Sequence, residues 1–219
     1  MSTKYGPKIV TNGLVLYLDA GDSKSYSGAG IYWYDLTNNH YNSTLSGEVS
    51  YLNNSLSFDG TNGVVSLSDV SIGTQWTIDT ALNYNYNTKQ WEFFLGTLAA
   101  NGSIGKILLS NDGFVTYSFP VGVYNHFQTS SSSISLRNTH LTFISSGTEV
   151  KLYINGLLLP GNILSIINAP FNLTTIGNAW SDNVWQSQFN LYFLKLYNRA
   201  LSSLEIQQNY NATKSRFGL

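Results

Sequence analysis

The sequence has no cysteine, a single methionine and only four prolines in 219 residues. Without cysteine, a disulfide framework, a thiolate metal site and a cysteine nucleophile are all excluded. Charge is also scarce. Charged residues make up 11% of the chain, against ~25% in an average globular domain, and the net charge is -1. The eleven Lys and Arg are scattered and form no stripe that could displace counterions from phosphates, so nucleic acid is not an expected partner. No apolar run approaches the ~20 residues of a membrane helix, so no membrane partner is expected either. The opening "MSTKYGPKIV" lacks the apolar core of a secretory signal, which predicts synthesis in a cytoplasm. The Asn-x-Ser/Thr triplets at Asn42, Asn53 and Asn172 then read as by-products of composition.

Several catalytic patterns are missing too. The three histidines, His40, His126 and His140, share no metal-ligand spacing. There is no G-x-S-x-G elbow. The "SGAG" at Ser27 to Gly30 lacks the third glycine and following helix of a dinucleotide loop. A retaining glycosidase needs two carboxylates about 5 Å apart. Asp79, in "QWTIDTALNY", has only Thr77 and Ala81 at its same-face positions, and Glu92 is solitary. Asp19 and Asp22 are the one close acidic pair and the only candidates for a metal, although Asp at a strand end also caps turns.

What is present is apolar content of 42%, enough for a core, and a surface rich in Asn, Ser, Thr and Tyr. No repeat or linker divides the chain, so residues 1–219 read as one domain. Strand signals are dense. Asn12-Gly13, Asp59-Gly60, Asn62-Gly63, Asp112-Gly113 and Asn155-Gly156 punctuate alternating apolar runs, and such pairs favour tight hairpins. The stretch from Leu141 to Leu159 reads as a three-strand meander. This pattern predicts an all-β fold: a two-sheet antiparallel jelly-roll sandwich of roughly a dozen strands. Near the end, Ser202 and Glu205 form a capping box, and Leu201 and Ile206 flank it as a hydrophobic staple. A short C-terminal helix of about two turns is expected there, docked through Ile206 and Tyr210.

The segments "GLVLYLDAGDSKSYSGAGIYWYDLTNN", "LSFDGTNGVVSL", "VKLYINGLLL", "IGNAW" and "LKLYNRALSSLEIQQNYNATKSRFGL" occur in that order. Together they resemble the laminin G-like domain with the concanavalin A-like lectin/glucanase fold. The ending "NYNATKSRFGL" is similar to the tail of such domains in tailed-phage structural proteins. The resemblance implies a two-sheet antiparallel jelly roll that binds sugars or proteins, often with calcium; some relatives are glycoside hydrolases. Many relatives carry an acidic residue shortly before the segment matching "LYNRAL", and in the laminarinase branch it binds a structural calcium. Tyr192 and Phe193 stand there in this chain. No cofactor is therefore expected, with calcium left open for Asp19 and Asp22.

Aromatic residues supply the ligand-site candidates. Trp33, in "YWYDL", falls at a position that the resemblance implies is a core residue. "NYNYNTKQW" and "GNAWSDNVWQ" instead mix aromatics with amides and interrupt the strand pattern. Ring faces stack on sugars while amides hold hydroxyls, which makes Trp180, Asp182, Asn183 and Trp185 the expected ligand-binding residues. The sequence thus reads as a non-enzymatic, lectin-like protein of a tailed-phage particle. Its expected partners are glycans or other virion proteins, and its low charge and many tyrosines suit a homo-oligomer. The alternatives are a purely structural assembly module and a glycoside hydrolase.

Overall fold

The computed structural model describes residues 7–84, 91–97, 106–110, 115–118, 124–127, 136–165, 170–177 and 187–218. Two antiparallel sheets pack face to face. Sheet A runs in the order β14 (Leu157–Ser165), β13 (Glu149–Ile154), β12 (Thr139–Ser146), β7 (Gln75–Tyr84), β16 (Gln188–Tyr197), β5 (Ser55–Asp59), β4 (Val49–Leu52). β1 (Leu14–Asp19) also pairs with β16, along its C-terminal half. Sheet B runs β11 (Tyr124–Phe127), β10 (Val115–Ser118), β9 (Lys106–Ser110), β8 (Trp91–Gly96), β15 (Asn172–Ile176), β6 (Val64–Ser71), β3 (Ser43–Ser46), β2 (Tyr32–Trp33). The described residues thus hold sixteen strands, more than the dozen expected. The expected meander is present as β12, β13 and β14, hinged at Gly147 and at Asn155-Gly156. Asp59 to Gly63 is not a hairpin. β5 and β6 lie in different sheets, so the two turn signals in succession carry the chain across the sandwich. The Asp112-Gly113 pair lies outside the described residues, between strands that do pair.

The core fills the gap between the sheets. Phe58 and Phe189 of sheet A stack with centroids 4.4 Å apart, and Phe94 of sheet B meets Phe189 edge-on at 5.2 Å. Trp33 is fully buried, as its sequence context predicted. β7 and the second half of β16 are buried on both faces. One face meets the core and the other lies beneath the helix α1 (Ser203–Phe217).

That helix differs from expectation in length. It spans 15 residues, about four turns, rather than two. The capping box is present: Ser202 accepts from the Glu205 N–H and the Glu205 side chain accepts from the Ser202 N–H. The later turns carry no apolar stripe in the sequence, because the docked face places Asn209 and Thr213 between Ile206 and Phe217. An apolar stripe is not what holds this half of the helix. Among the described residues, no helix is long and apolar enough to cross a membrane.

Candidate functional site

Two features stand out: the loop-bearing end of the sandwich and a polar network sealed under α1. β7 ends at Tyr84, beside Phe189 at the start of β16, and β8 begins just beyond. β15 ends at Ile176, and β16 restarts at Gln188 opposite Asp59. The connections 85–90 and 178–186 therefore leave from the same end. They belong to the two segments in which the sequence mixes aromatics with amides. Trp180, Asp182, Asn183 and Trp185 themselves lie outside the described residues.

The base of that second connection is well defined. Gly177 donates its N–H to the Phe94 carbonyl at 2.9 Å, and Ser187 donates to the Gly177 carbonyl at 3.5 Å. Gly177 has φ +89°, and a Cβ there would meet Phe58 at 2.7 Å and the Gly63 carbonyl at 2.8 Å. Only glycine fits both demands. Beside it, the Gln188 N–H donates to Glu92, whose side chain is fully buried.

The second feature is a cluster that the sequence scatters. Asp79 of β7 is fully buried and faces outward from sheet A toward the helix. Its Oδ1 accepts from Thr142 at 2.8 Å and lies 2.6 Å from His140 Nε2; its Oδ2 accepts from Lys195 at 3.0 Å and from Asn209 Nδ2 at 3.1 Å. Lys195 Nζ also sits 3.9 Å from the Phe193 ring centroid. Burial by itself would raise the Asp79 pKa. The Lys195 ammonium, then His140, outweigh it and hold the carboxyl well below the usual range. Burial also pulls Lys195 below its ordinary value, with Asp79 opposing. The ionised Asp79 assigns the bridging proton to His140 Nε2, and Nδ1 has no hydrogen-bond partner. No sequence pattern links these residues, because they meet only across three strands and a helix.

With no solvent exposure, this network reaches no substrate. It fastens the helix to the sheet. Asn209 also accepts from the Val10 N–H at 2.8 Å and donates to Tyr197 Oη at 3.0 Å, which ties in the N-terminal segment.

Asp19 works the same way at the far end of α1. Its two oxygens accept from Arg216 at 2.7 and 2.8 Å, and Oδ2 also accepts from Tyr17 Oη at 2.6 Å. Burial first, then Asp19, pushes the Tyr17 phenol well above its ordinary range. Asp22 accepts from the Lys24 N–H at 2.9 Å, an Asx turn. Both acids are thus engaged in pinning chain. Tyr192 and Phe193 pack on Phe217, at 4.6 and 5.5 Å. A hard cation with several oxygen ligands does not fit among those rings. Among the described residues, no group of three or more His, Asp or Glu could hold a metal.

Two stacked antiparallel sheets, a capped C-terminal helix and a loop-bearing end define a lectin-type sandwich. Residues 59–207 match the family model described as the concanavalin A-like lectin/glucanases superfamily, of the laminin G type. That is more than half of the chain, and the chain belongs to this family. Searching curated proteins finds no match. Solved structures with a similar fold include a Trypanosoma rangeli sialidase in complex with sialic acid (TM-score 0.73, 15% identity), matched over 97% of this chain and 36% of that one. The binding domain of Paraclostridial Mosquitocidal Protein 1 is similar at TM-score 0.65 and 18% identity, over 91% of this chain and 52% of that one. Domain 4 of AbnA, a GH43 extracellular arabinanase from Geobacillus stearothermophilus, in complex with arabinotriose, is similar at TM-score 0.62 and 19% identity, over 90% and 98%. The chain spans only about a third of the sialidase, so that likeness concerns the fold of one part.

Proposed function

We propose that this chain is a non-enzymatic, lectin-like glycan-binding domain carried on a tailed-phage particle, where it decorates the surface or holds host-surface glycans. The observation that carries the binding reading is the shared departure of connections 85–90 and 178–186 from one end of the sandwich. Their Asn, Tyr and Trp content supplies ring faces and amides for a sugar. Trp180 and Trp185 stack on the ring, and Asp182 and Asn183 bond its hydroxyls. The family, and two similar structures in complex with sialic acid and arabinotriose, agree with a sugar ligand.

Against hydrolysis stands the fate of the acids. Asp79 is held by four donors under the helix, Asp19 by Arg216, and Glu92 is buried. Asp35 accepts from the N–H groups of Tyr17, Thr37 and Tyr41. None of these four is free to protonate a glycosidic oxygen.

A glycan array screened with and without calcium tests the reading. Binding is expected in both conditions, and Trp180→Ala with Trp185→Ala abolishes it while the melting temperature stays nearly unchanged. A large drop in melting temperature would make both tryptophans core residues and remove the site. The virion setting rests on the likeness of the ending from Asn209 to Leu219. Neighbouring genes for capsid or tail proteins support it; a polysaccharide-degradation locus overturns it.

A second reading, an assembly module, is favoured by the exposure of Leu157, Leu158 and Leu204. Light scattering that reports a stable oligomer, with an empty glycan array, would select it.

A further inference from the structure

A pair of tyrosines on the outer edge of sheet B has no structural task of its own. Trp33 of β2 is fully buried, so its neighbours Tyr32 and Tyr34 point the other way, 55% and 47% exposed. Their rings stack at 6.1 Å between centroids and 29° between planes. Two neighbouring phenol rings, tilted 29° to one another, are therefore both about half exposed to solvent.

The backbone beneath them is fixed at nearly every position. Tyr26 Oη donates to the Gly30 carbonyl at 2.9 Å, and the Leu45 N–H donates to Ile31 at 2.7 Å. Ser43 Oγ donates to the Trp33 carbonyl at 3.0 Å, and the Tyr34 N–H donates to Ser25 at 2.8 Å. A platform held this way loses little conformational freedom when something stacks on it.

The chain beneath the rings is uncharged, and in the connection from β2 to β3 Asp35 is buried and bound by backbone N–H groups while His40 is exposed. The stretches Ser25 to Tyr34 and Tyr41 to Ser46 contain no ionisable acid, base or histidine. Tyr32 sits opposite Thr44 and Thr44 opposite Ser66, all three exposed, so a row of hydroxyls runs inward from the rings. The two rings alone are a small surface for a protein partner, with the exposed Ile31 beside them. Two rings of roughly 200 Å² each, about half exposed, present on the order of 200 Å². A stable protein interface needs about 800 Å² per side.

We propose that Tyr32 and Tyr34 form a second, edge-strand glycan site, which takes the apolar faces of neutral sugar residues while Thr44 and Ser66 bond their hydroxyls. The site lies on a different part of sheet B from the strand that leads to the tryptophans. β2 lies three strands from β15 in sheet B, about 14 Å at the usual strand spacing. It shares with the proposed function only the class of ligand.

The test measures binding of the full chain to debranched arabinan, mixed-linkage β-glucan and xylan by affinity electrophoresis and calorimetry. Tyr32→Ala with Tyr34→Ala is expected to weaken binding about tenfold, which is about 1.4 kcal/mol. Tyr32→Phe with Tyr34→Phe retains it, because the ring face and not the phenol hydroxyl makes the contact. Tyr32→Leu with Tyr34→Leu keeps apolar bulk without a planar face and also loses it, so a poorly folding alanine variant does not block the test. Unchanged affinity in both the Ala and the Leu pair, with loss only in the Trp180 and Trp185 variant, overturns the edge site and leaves the function standing. Wild-type chain that binds none of the three polymers overturns the edge site as stated. Wild-type chain blank on the array as well sinks the glycan reading itself. Self-association that disappears in the tyrosine variants, without any change in sugar binding, assigns the patch to an interface and overturns the site too.

Discussion

His140 Nε2 lies 2.6 Å from Asp79 Oδ1, although the two residues are 61 positions apart and neither side chain is exposed. On the other oxygen, Lys195 and Asn209 complete the shell. Removing one charge from such a set leaves the other buried without compensation. Asp79→Asn is therefore expected to cost about 3–5 kcal/mol of unfolding free energy in urea denaturation. Replacing both partners, Asp79→Leu with Lys195→Met, restores much of that loss. A double variant no better than Asp79→Asn would show that the network does more than neutralise itself.

Acid should loosen the helix. Glu205 is held down to about 2 from 4.5, chiefly by the Arg199 side chain and then by the Ser202 cap. Asp79 is depressed as well, through Lys195 and His140 against the effect of burial. A carboxylate with a folded pKa below its unfolded one stabilises the fold above the unfolded value and loses that contribution as pH falls through the folded one. Stability is thus expected to be level above about pH 4.5 with respect to these two groups and to decline toward pH 2, which chemical denaturation at stepped pH would follow. Glu205→Gln should flatten part of that decline. Its partial exposure keeps the effect modest. An identical acid profile in the variant would remove Glu205 from the account.

Gly177→Ala tests the base of the tryptophan-bearing connection. The added methyl meets Phe58 and the Gly63 carbonyl inside 3 Å, at a backbone angle that L residues rarely adopt. Overpacking of this kind typically costs 1–3 kcal/mol. Both a lower melting temperature and weaker glycan binding are expected, while the Tyr32–Tyr34 edge, three strands away, keeps its local structure. Normal glycan binding in a clearly destabilised Gly177→Ala chain would separate the connection from the ligand.

The sequence made some of these elements readable and hid others for identifiable reasons. Short-range chemistry was legible. The Ser202–Glu205 capping box spans three positions, and the turn at Asn155-Gly156 needs only two residues of positive φ. Trp33 could be assigned to the core through the family resemblance of "YWYDL", and its complete burial agrees. The helix was misjudged in length because Asn209 and Thr213 occupy its buried face. Polar residues look solvent-facing until Asp79, Lys195 and Val10 are brought against them. Asp79 read as a lone acid for the same reason, since its partners come from β12, β16 and α1. At the candidate site, composition pointed to Trp180 and Trp185, and strand pairing supplied what composition lacks: the common end from which both aromatic connections depart.

The tie between Val10 and Asn209 has a practical corollary, reinforced by Gln208 Nε2 donating to the Lys8 carbonyl at 2.7 Å. The N-terminal segment is thereby fastened to the middle of α1, roughly 14 Å along the helix from its C-terminal cap. A foreign polypeptide joined ahead of Lys8 would emerge against the helix-covered flank. The tyrosine edge, which belongs to the other sheet, would remain unobstructed by the attachment.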